Sequence, residues 1–592
     1  MLINIGIKFL RWACIFLCLL IFLIIGDNLK NTDFVVRFAG EGGQGFLSAA
    51  IGFASANTKA GYHAQTFATF PSQITGGPTW MQTRISIDPV LSRGDEVDVL
   101  VVFNEYAYET HKNEVKENGF ILYDSDQLNI EPSEKVLGIA FEKLAKTTGN
   151  ARAANMVMMG ALAELVGVNL SVLEDFVKER WGDTSRYGEQ IVPQNIAALK
   201  LGSNEVQDRG FKLAEIEPAK PLNTSQIFLN GNEAISLGAY SAGVEFYVGY
   251  PISPATTILI WMEKNLVEKN KFVHQVSSEI EAITAIIGAS YGGKKSMTAT
   301  AGPGFSLMSE GLGLAWMAEI PIVVVDVQRG GPATGLPTKT EQSDLLSSIT
   351  PAHGDVSLPV VAPGTVEECF YATIEAFNWA EKYQGPVILL SEHGLAERQQ
   401  NIPKPDINSL KIENRIINQS TDNYYRYESQ GISPMPIPGS PGPYVANASE
   451  HDKMGDTTHL PERHIEMTER RFKKLEILKD SKYEYINSKS EIILMPWGGS
   501  KGPGFEAFEK LQEKNIDIGW AYTMFLNPLP EKLLIELQSK KLVIVPELNY
   551  LGQFSSLLRS QGVNAKSITQ YTGLPFKVQY LVDQITELSS KR

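Results

Sequence analysis

The sequence predicts an α/β protein of three tandem α/β domains, and three observations carry that prediction. A strand, a glycine turn and a helix follow one another in "FVVRFAGEGGQGFLSAAIGFASA", residues 34–56. A long middle region alternates the apolar runs "SMTATA", "PIVVVDVQ" and "PVILLSE" with helical stretches, the pattern of a parallel sheet buried on both faces. A last unit runs from "EIILMPWGGS" through "KLVIVPELNYLGQ" to the C-terminus.

In the first domain, residues 33–202, strands follow at "MQTRISI" and "VDVLVVF", and the helical stretch "NMVMMGALAELVGV" stands near its end. Residues 203–225 read as a polar linker. The second domain, 226–425, opens with "QIFLNGNEAISLGAYSAGVEFYVGYPISPATTI", a strand-helix-strand unit ending in a loop. Residues 426–488 hold "GISPMPIPGSPGP", too rich in proline for a helix or central strand, and the charged helix "ERHIEMTERRFKKLEILKD". Residues 489–592 form the third domain.

The 592 residues, 43% hydrophobic and 20% charged, suffice for about three or four globular cores. A formal net charge of -14 argues against nucleic acid, which is bound mainly through clustered Lys and Arg. Of three cysteines, Cys14 and Cys18 lie in an apolar N-terminal run, leaving Cys369; this excludes a disulfide framework and an iron-sulfur cluster held by this chain alone. The run, Trp12 to Ile25 within the extension 1–32, is shorter than the roughly 20 residues of a spanning helix. It fits an upstream extension without a role, a membrane anchor or an export signal, although no small-residue cleavage site precedes Asp33. Membrane contact is expected only if that run is a working segment.

Several motifs have ordinary explanations. Gly40, Gly42 and Gly45 satisfy G-x-G-x-x-G, but "HAQTFATF" stands where a dinucleotide site carries an acid for the ribose, which weakens the rival reading as a nicotinamide dehydrogenase. "GASYGGKK", residues 288–295, nearly matches a phosphate loop, yet it follows a helix, so it reads as a glycine cap with surface lysines. His451, His459 and His464 match no zinc spacing and read as solvated or hydrogen-bonded, so no metal site is expected. No G-x-S-x-G elbow is present.

Two motifs resist that treatment. "TATAGPGFSLMSEG", residues 298–311, is a strand end, a turn at Gly302-Pro303-Gly304 and a helix start, but Phe305 and Ser306 stand where a nucleotide loop needs Lys and Ser or Thr. In "SSEIEAITAIIGAS", Ser278 and Glu281 fit a capping box, which leaves Glu279 without a structural task. It is either a first-turn acid stabilised by the helix dipole or a carboxylate pointed at a ligand, and spacing leaves both open.

These segments, with "RGGPATGLPTKTEQSDL" and "PELNYLGQ", resemble the alpha subunit of 2-oxoacid:ferredoxin oxidoreductases. "GEGGQG" and "TGGPTWMQTRIS" resemble the gamma subunit, so residues 34–592 look like a gamma-alpha fusion. The resemblance implies a gamma-type Rossmann-like domain, a thiamine-diphosphate pyrimidine-binding domain and a transketolase C-terminal-like domain. It implies thiamine diphosphate shared with a separate beta subunit, which holds Mg2+ and a [4Fe-4S] cluster. Ser253 replaces the threonine more usual in "YPITP", and "FPSQITGGP" replaces an "EIRGGP"-like stretch.

By resemblance, Glu279 is the carboxylate that bonds the cofactor's pyrimidine and assists proton transfer, while Tyr250, Pro251, Gly302 and Gly304 lie against the cofactor. Ser253, Arg329 and Thr338 match substrate-contacting positions, Arg329 with a fork suited to a carboxylate. Gly42, Gly43 and Gly45 are candidates for coenzyme A or subunit contact. The implied reaction oxidatively decarboxylates a 2-oxoacid, most similar to 2-oxoglutarate enzymes, passing electrons to ferredoxin and the acyl group to coenzyme A in the cytoplasm. Relatives acting on pyruvate, branched-chain or aryl 2-oxoacids, and a non-catalytic assembly subunit, are the alternatives.

Overall fold

An apolar run with polar ends becomes strand β1 (Asp33–Glu41) in the computed structural model, buried from Phe34 to Gly40. The structure describes residues 31–71, 76–131, 133–182, 188–213, 215–222, 224–418, 424–428, 431–442 and 444–590, so the apolar run Trp12 to Ile25 lies outside it. The chain divides into two units, residues 1–66 with 75–223, and residues 67–74 with 224–592.

In the first unit, β1 is joined by β2 (His63–Thr69), β3 (Pro78–Ser86), β4 (Val97–Val102), β5 (Val115–Asp124) and β6 (Val136–Ile139), in the order β6-β5-β4-β1-β3-β2. β1 runs parallel to β4 and antiparallel to β3, with Asp33 opposite Ser86. Helix Ala154–Val166 lies against helix Gly188–Asp208 so closely that a Cβ on Gly160 would sit 2.7 Å from the Leu199 carbonyl carbon. Glycine makes that approach possible. The second of these helices continues through residue 202, and the first unit extends to residue 223.

The second unit contains two sheets and a further strand pair. Strands β8 (Phe246–Gly249), β9 (Phe272–Gln275), β10 (Ser296–Thr300), β11 (Ile322–Gln328), β12 (Val360–Val361), β13 (Pro386–Glu392) and β18 (Phe525–Asn527) form one sheet in the order β18-β12-β13-β11-β10-β8-β9. Only β18 is antiparallel to its neighbour. β10, β11 and β13 are buried at every residue, as near-continuous apolar runs in a covered parallel sheet should be. The other sheet orders β15 (Glu484–Ile486), β16 (Ile492–Leu494), β17 (Gly519–Tyr522), β19 (Leu542–Glu547) and β20 (Ala565–Thr569) as β15-β17-β16-β19-β20.

One expectation changes here. The strand opening "QIFLNGNEA", β7 (Gln226–Leu229), does not lie beside β8 but pairs antiparallel with β14 (Gln400–Pro403). β7 buries only Leu229, whereas β8 buries Tyr247, Val248 and Gly249, so only the latter suits the interior of a covered sheet. The two sheets of this unit share one core, in which Val325 and Leu389 join Trp497, Phe525 and Val545. The rings of Trp379 and Phe525 stack at 4.8 Å.

The charged helix, Pro461–Lys473, turns part of its charge inward. Arg470 Nε and Lys474 Nζ reach the buried carboxylate of Glu319 at 2.9 and 2.7 Å, and Arg426 stands 3.9 Å away. Burial pushes the Glu319 carboxyl up, but the charges of Lys474, Arg470 and Arg426 outweigh it and hold the group below the usual carboxylate range.

Candidate active site

Open α/β sheets bind ligands outside the carboxyl ends of their strands. In the second unit those ends carry Thr300 on β10, Asp326 and Gln328 on β11 and Glu392 on β13. Glu279 opens helix Glu279–Tyr291, whose N-cap residue Ser278 accepts a hydrogen bond from the Glu281 N–H at 3.3 Å. The other half of the expected capping box is displaced. Glu281 Oε2 accepts from Ser277, from its N–H at 3.0 Å and its hydroxyl at 2.8 Å, so one residue supplies both donors. A complete box occurs instead at Asn230 and Glu233.

Glu279 is buried, 4% exposed, and its Oε1 accepts a long hydrogen bond from the Thr300 hydroxyl at 3.5 Å. A Cβ on Gly304 would lie 2.6 Å from Glu279 Cδ and closer still to Oε1 and to Thr300 Oγ1. The glycine turn therefore admits a carboxylate of its own chain at Gly304. At Gly302 an added Cβ would come 2.9 Å from Asp344 Oδ2. The turn lies between two acids, which defeats any reading of it as a grip for phosphate.

Arg329 follows β11 and is buried, with Nη1 donating to the Ser253 carbonyl at 2.7 Å and Nη2 to the Thr334 carbonyl at 3.2 Å. The structure thus brings Ser253 and Arg329 together through the serine backbone, while the exposed Ser253 precedes a cis peptide bond to Pro254. Tyr250 and Pro251 follow β8 directly, Tyr250 exposed and Pro251 half-buried. The Thr338 hydroxyl donates to the Phe70 carbonyl at 2.7 Å. That tie commits its proton to the backbone.

Sequence reasoning missed a polar layer beneath these residues. Gln342 Nε2 donates to the Trp497 carbonyl at 2.8 Å, and its Oε1 accepts from the Leu548 N–H at 2.9 Å. "PELNYLGQ" acts as a latch: Gln553 Oε1 accepts from the Leu346 N–H at 3.1 Å, and Glu547 caps the next helix by accepting from the N–H groups of Phe554 and Ser555. Burial raises the Glu392 carboxyl to about 6, against the charge of Arg398 and hydrogen bonds from Gly499, Gln342 and Thr340. The available signal was an acid at the end of each apolar strand, in "PIVVVDVQ" and "PVILLSE".

Gly42, Gly43 and Gly45 belong to the first unit. Gly43 and Gly45 adopt φ of 99° and 79°, and Gly45 is the N-cap of helix Phe46–Lys59. Gly42 has no close neighbour that would bar a side chain. "GASYGGKK" does end a helix, but Lys295 is not a free surface lysine, since it donates to the carbonyls of Ala242 and Glu413 at 3.0 and 2.7 Å. His451 is buried and bonded to the Ser449 carbonyl at 2.9 Å, and His464 pairs with Glu450 at 2.6 Å. Among the described residues, no group of three His, Cys, Asp or Glu side chains is placed to hold a metal ion.

Residues 237–470 match the family described as "Pyruvate flavodoxin/ferredoxin oxidoreductase, thiamine diP-bdg", and residues 35–205 match "Pyruvate ferredoxin/flavodoxin oxidoreductase". The chain is 31% identical to 2-oxoglutarate oxidoreductase subunit KorA of Mycobacterium tuberculosis, over 94% of this chain and 91% of that one. This chain belongs to the 2-oxoacid:ferredoxin oxidoreductase alpha subunits. It is also 29% identical to the alpha subunit of 2-oxoacid:ferredoxin oxidoreductase 1 of Aeropyrum pernix, over 94% of this chain and 97% of that one. Among solved structures it is similar to the 2-oxoglutarate:ferredoxin oxidoreductase of Magnetococcus marinus, solved with 2-oxoglutarate, coenzyme A and succinyl-CoA bound. The TM-score is 0.89 at 36% identity, covering 95% of this chain and all of the other. The alpha-subunit stretch that holds Glu279, the glycine turn and Arg329 falls within the thiamine-diphosphate-binding match.

Proposed function

We propose that this alpha subunit works in a complex oxidising 2-oxoglutarate to succinyl-CoA, with Glu279 as its acid-base residue. The observation that carries the reading is the buried Glu279 carboxylate, held against Gly304 and Thr300 at the strand ends of the thiamine-diphosphate-binding region. The residues fit the cofactor: Gly304 makes room for the Glu279 carboxylate, Tyr250 offers an exposed ring, and Glu279 supplies an acceptor for a ring nitrogen; Gly302 and Gly304 are proposed to line the cofactor. Thiamine diphosphate, when bound, would supply the nucleophilic carbon chemistry that decarboxylation of a 2-oxoacid needs. Glu279 would take up and return a proton at a pyrimidine nitrogen of that group, and its burial would keep water from the exchange. Arg329 offers a guanidinium to a substrate carboxylate, steadied by the carbonyls of Ser253 and Thr334.

Diphosphate, Mg2+ and the [4Fe-4S] cluster we assign to a beta subunit, with ferredoxin as acceptor; in support, Cys369 is the one cysteine among the described residues and it is buried. Gly42, Gly43 and Gly45 are proposed contacts for coenzyme A or a subunit, and Ser253 and Thr338 for substrate. Cytoplasmic location is proposed as well, and no helix among the described residues is long and apolar enough to cross a membrane. The test is kinetic, on the assembled complex with 2-oxoglutarate, pyruvate, branched-chain and aryl 2-oxoacids. Arg329→Lys, which keeps charge but loses the fork, should raise KM for 2-oxoglutarate several-fold. A penalty confined to 2-oxoglutarate places Arg329 at the distal carboxylate, an equal penalty for pyruvate places it at the shared one, and no penalty removes it from the site.

A further inference from the structure

Asp326 and Asp344 have no role in the chemistry described so far, and their surroundings are unusual for carboxylates. Asp326 lies within the wholly buried β11, two residues before its end, is 0% exposed, and stands in register with Thr300 on β10, the residue that bonds Glu279. Asp344 occupies the N-cap position of helix Leu345–Ile349 but makes no side-chain cap. Its backbone N–H donates to Gln328 Oε1 at 3.0 Å, and its Oδ2 lies under Gly302. Among the described residues, both oxygens of Asp326 and Oδ2 of Asp344 are shut off from solvent without a hydrogen-bond donor. Two ionised carboxylates left so would carry a large desolvation cost and repel each other. A proton on Asp326 removes one of the two charges and turns one of its unpartnered acceptors into a neutral O–H.

We propose that Asp326 and Asp344 carry a single proton at neutral pH, on the Asp326 carboxyl that no donor reaches, leaving one negative charge on Asp344 to balance Arg329. The proposal rests on the reading of Arg329 as a substrate contact for its kinetic part only. Burial, then the charge of Asp344, drives the Asp326 carboxyl well above its ordinary value. Burial and Glu341 push Asp344 up to about 6, against the pull of Arg329. The loop that carries Asp344 also holds Lys339, and the adjoining segments hold Glu279, Glu392 with Arg398, His393, and Glu547, the last spent on capping its helix. As pH falls through about 6 the pair loses its remaining charge, so Arg329 holds an anionic substrate more tightly and KM drops. As positioning residues, the two aspartates act through Arg329 without touching substrate.

Infrared spectroscopy of the assembled complex at neutral pH should show the carbonyl stretch of a buried protonated carboxylic acid. Asp326→Asn should abolish it, and Asp344→Asn, which removes the partner, should shift it. In kinetics, KM for 2-oxoglutarate should fall several-fold between pH 7 and pH 5 in the wild type and stay level in Asp344→Asn, with kcat moving less than KM. If Asp326→Asn does not assemble, the Asp344→Asn spectrum decides. Absence of the band in the wild type, or its persistence unshifted in both variants, overturns the proposal, as does a wild-type pH profile in Asp344→Asn. Arg329→Lys separates the two readings: unchanged KM there removes the substrate contact, while the infrared band still decides whether Asp326 holds a proton.

Discussion

Replacing Gly304 with alanine tests whether the turn exists to admit the Glu279 carboxyl. The new Cβ would stand 2.6 Å from Glu279 Cδ, where ordinary contact begins at 3.4 Å, so the carboxyl must retreat, its Cδ by about 0.8 Å and the closer Oε1 by more. It cannot stay in place, because Thr300 Oγ1 crowds the same Cβ. Misplacing a catalytic group by about 1 Å can cost about 10²-fold in rate, whereas overpacking of this kind costs about 1–3 kcal/mol of stability. Gly304→Ala should therefore assemble with the beta subunit and lose about 10²-fold in kcat/KM for 2-oxoglutarate-dependent ferredoxin reduction. Gly288→Ala is the control on the helix that Glu279 opens. That glycine is exposed with nothing within 4 Å of an added Cβ, so the change should raise stability by about 0.5–1 kcal/mol and spare activity. If Gly304→Ala keeps kcat/KM within about threefold of wild type, the carboxyl is not where the rate depends on it, and the argument for Glu279 fails with it.

Glu279→Gln should lower kcat by about 10² or more in the complex, while Glu281→Gln should cost about 1 kcal/mol of helix capping, seen as a lower Tm at near-normal turnover. Equal kinetics in the two variants would refute the assignment. Glu319→Gln leaves Arg470 and Lys474 buried without their anion and should destabilise by about 3–5 kcal/mol in denaturant titration. Because the folded pKa of Glu319 is depressed, its stabilisation is complete above the ordinary value of 4.5 and is lost as pH falls through the folded one. The acid-side fall in Tm should accordingly be steeper in the wild type than in the variant.

The sequence by itself determined which runs become strands and helices. β10, β11 and β13 read as apolar runs because a parallel strand covered on both faces must be apolar at nearly every position, and that constraint is local. The glycine turn at residues 302–304 and the acid at 279 were legible for the same reason: turn chemistry and helix starts are written over a few residues. Pairing was not legible. β7 and β8 flank one short helix, yet only the comparison of their burial explains why β7 pairs with β14. Half of the capping box was legible, since Ser278 accepts from the Glu281 N–H, but the Glu281 carboxylate takes its donors from Ser277 instead of the Ser278 N–H, and only three-dimensional geometry chooses between them. What Gly302 and Gly304 make room for, and which carbonyls hold Arg329, depend on groups as far as 76 residues distant in the chain. Burial of Asp326 beside Asp344 likewise arises where a strand end meets a loop, and desolvation, which sets their protonation, exists only once the chain has folded around them.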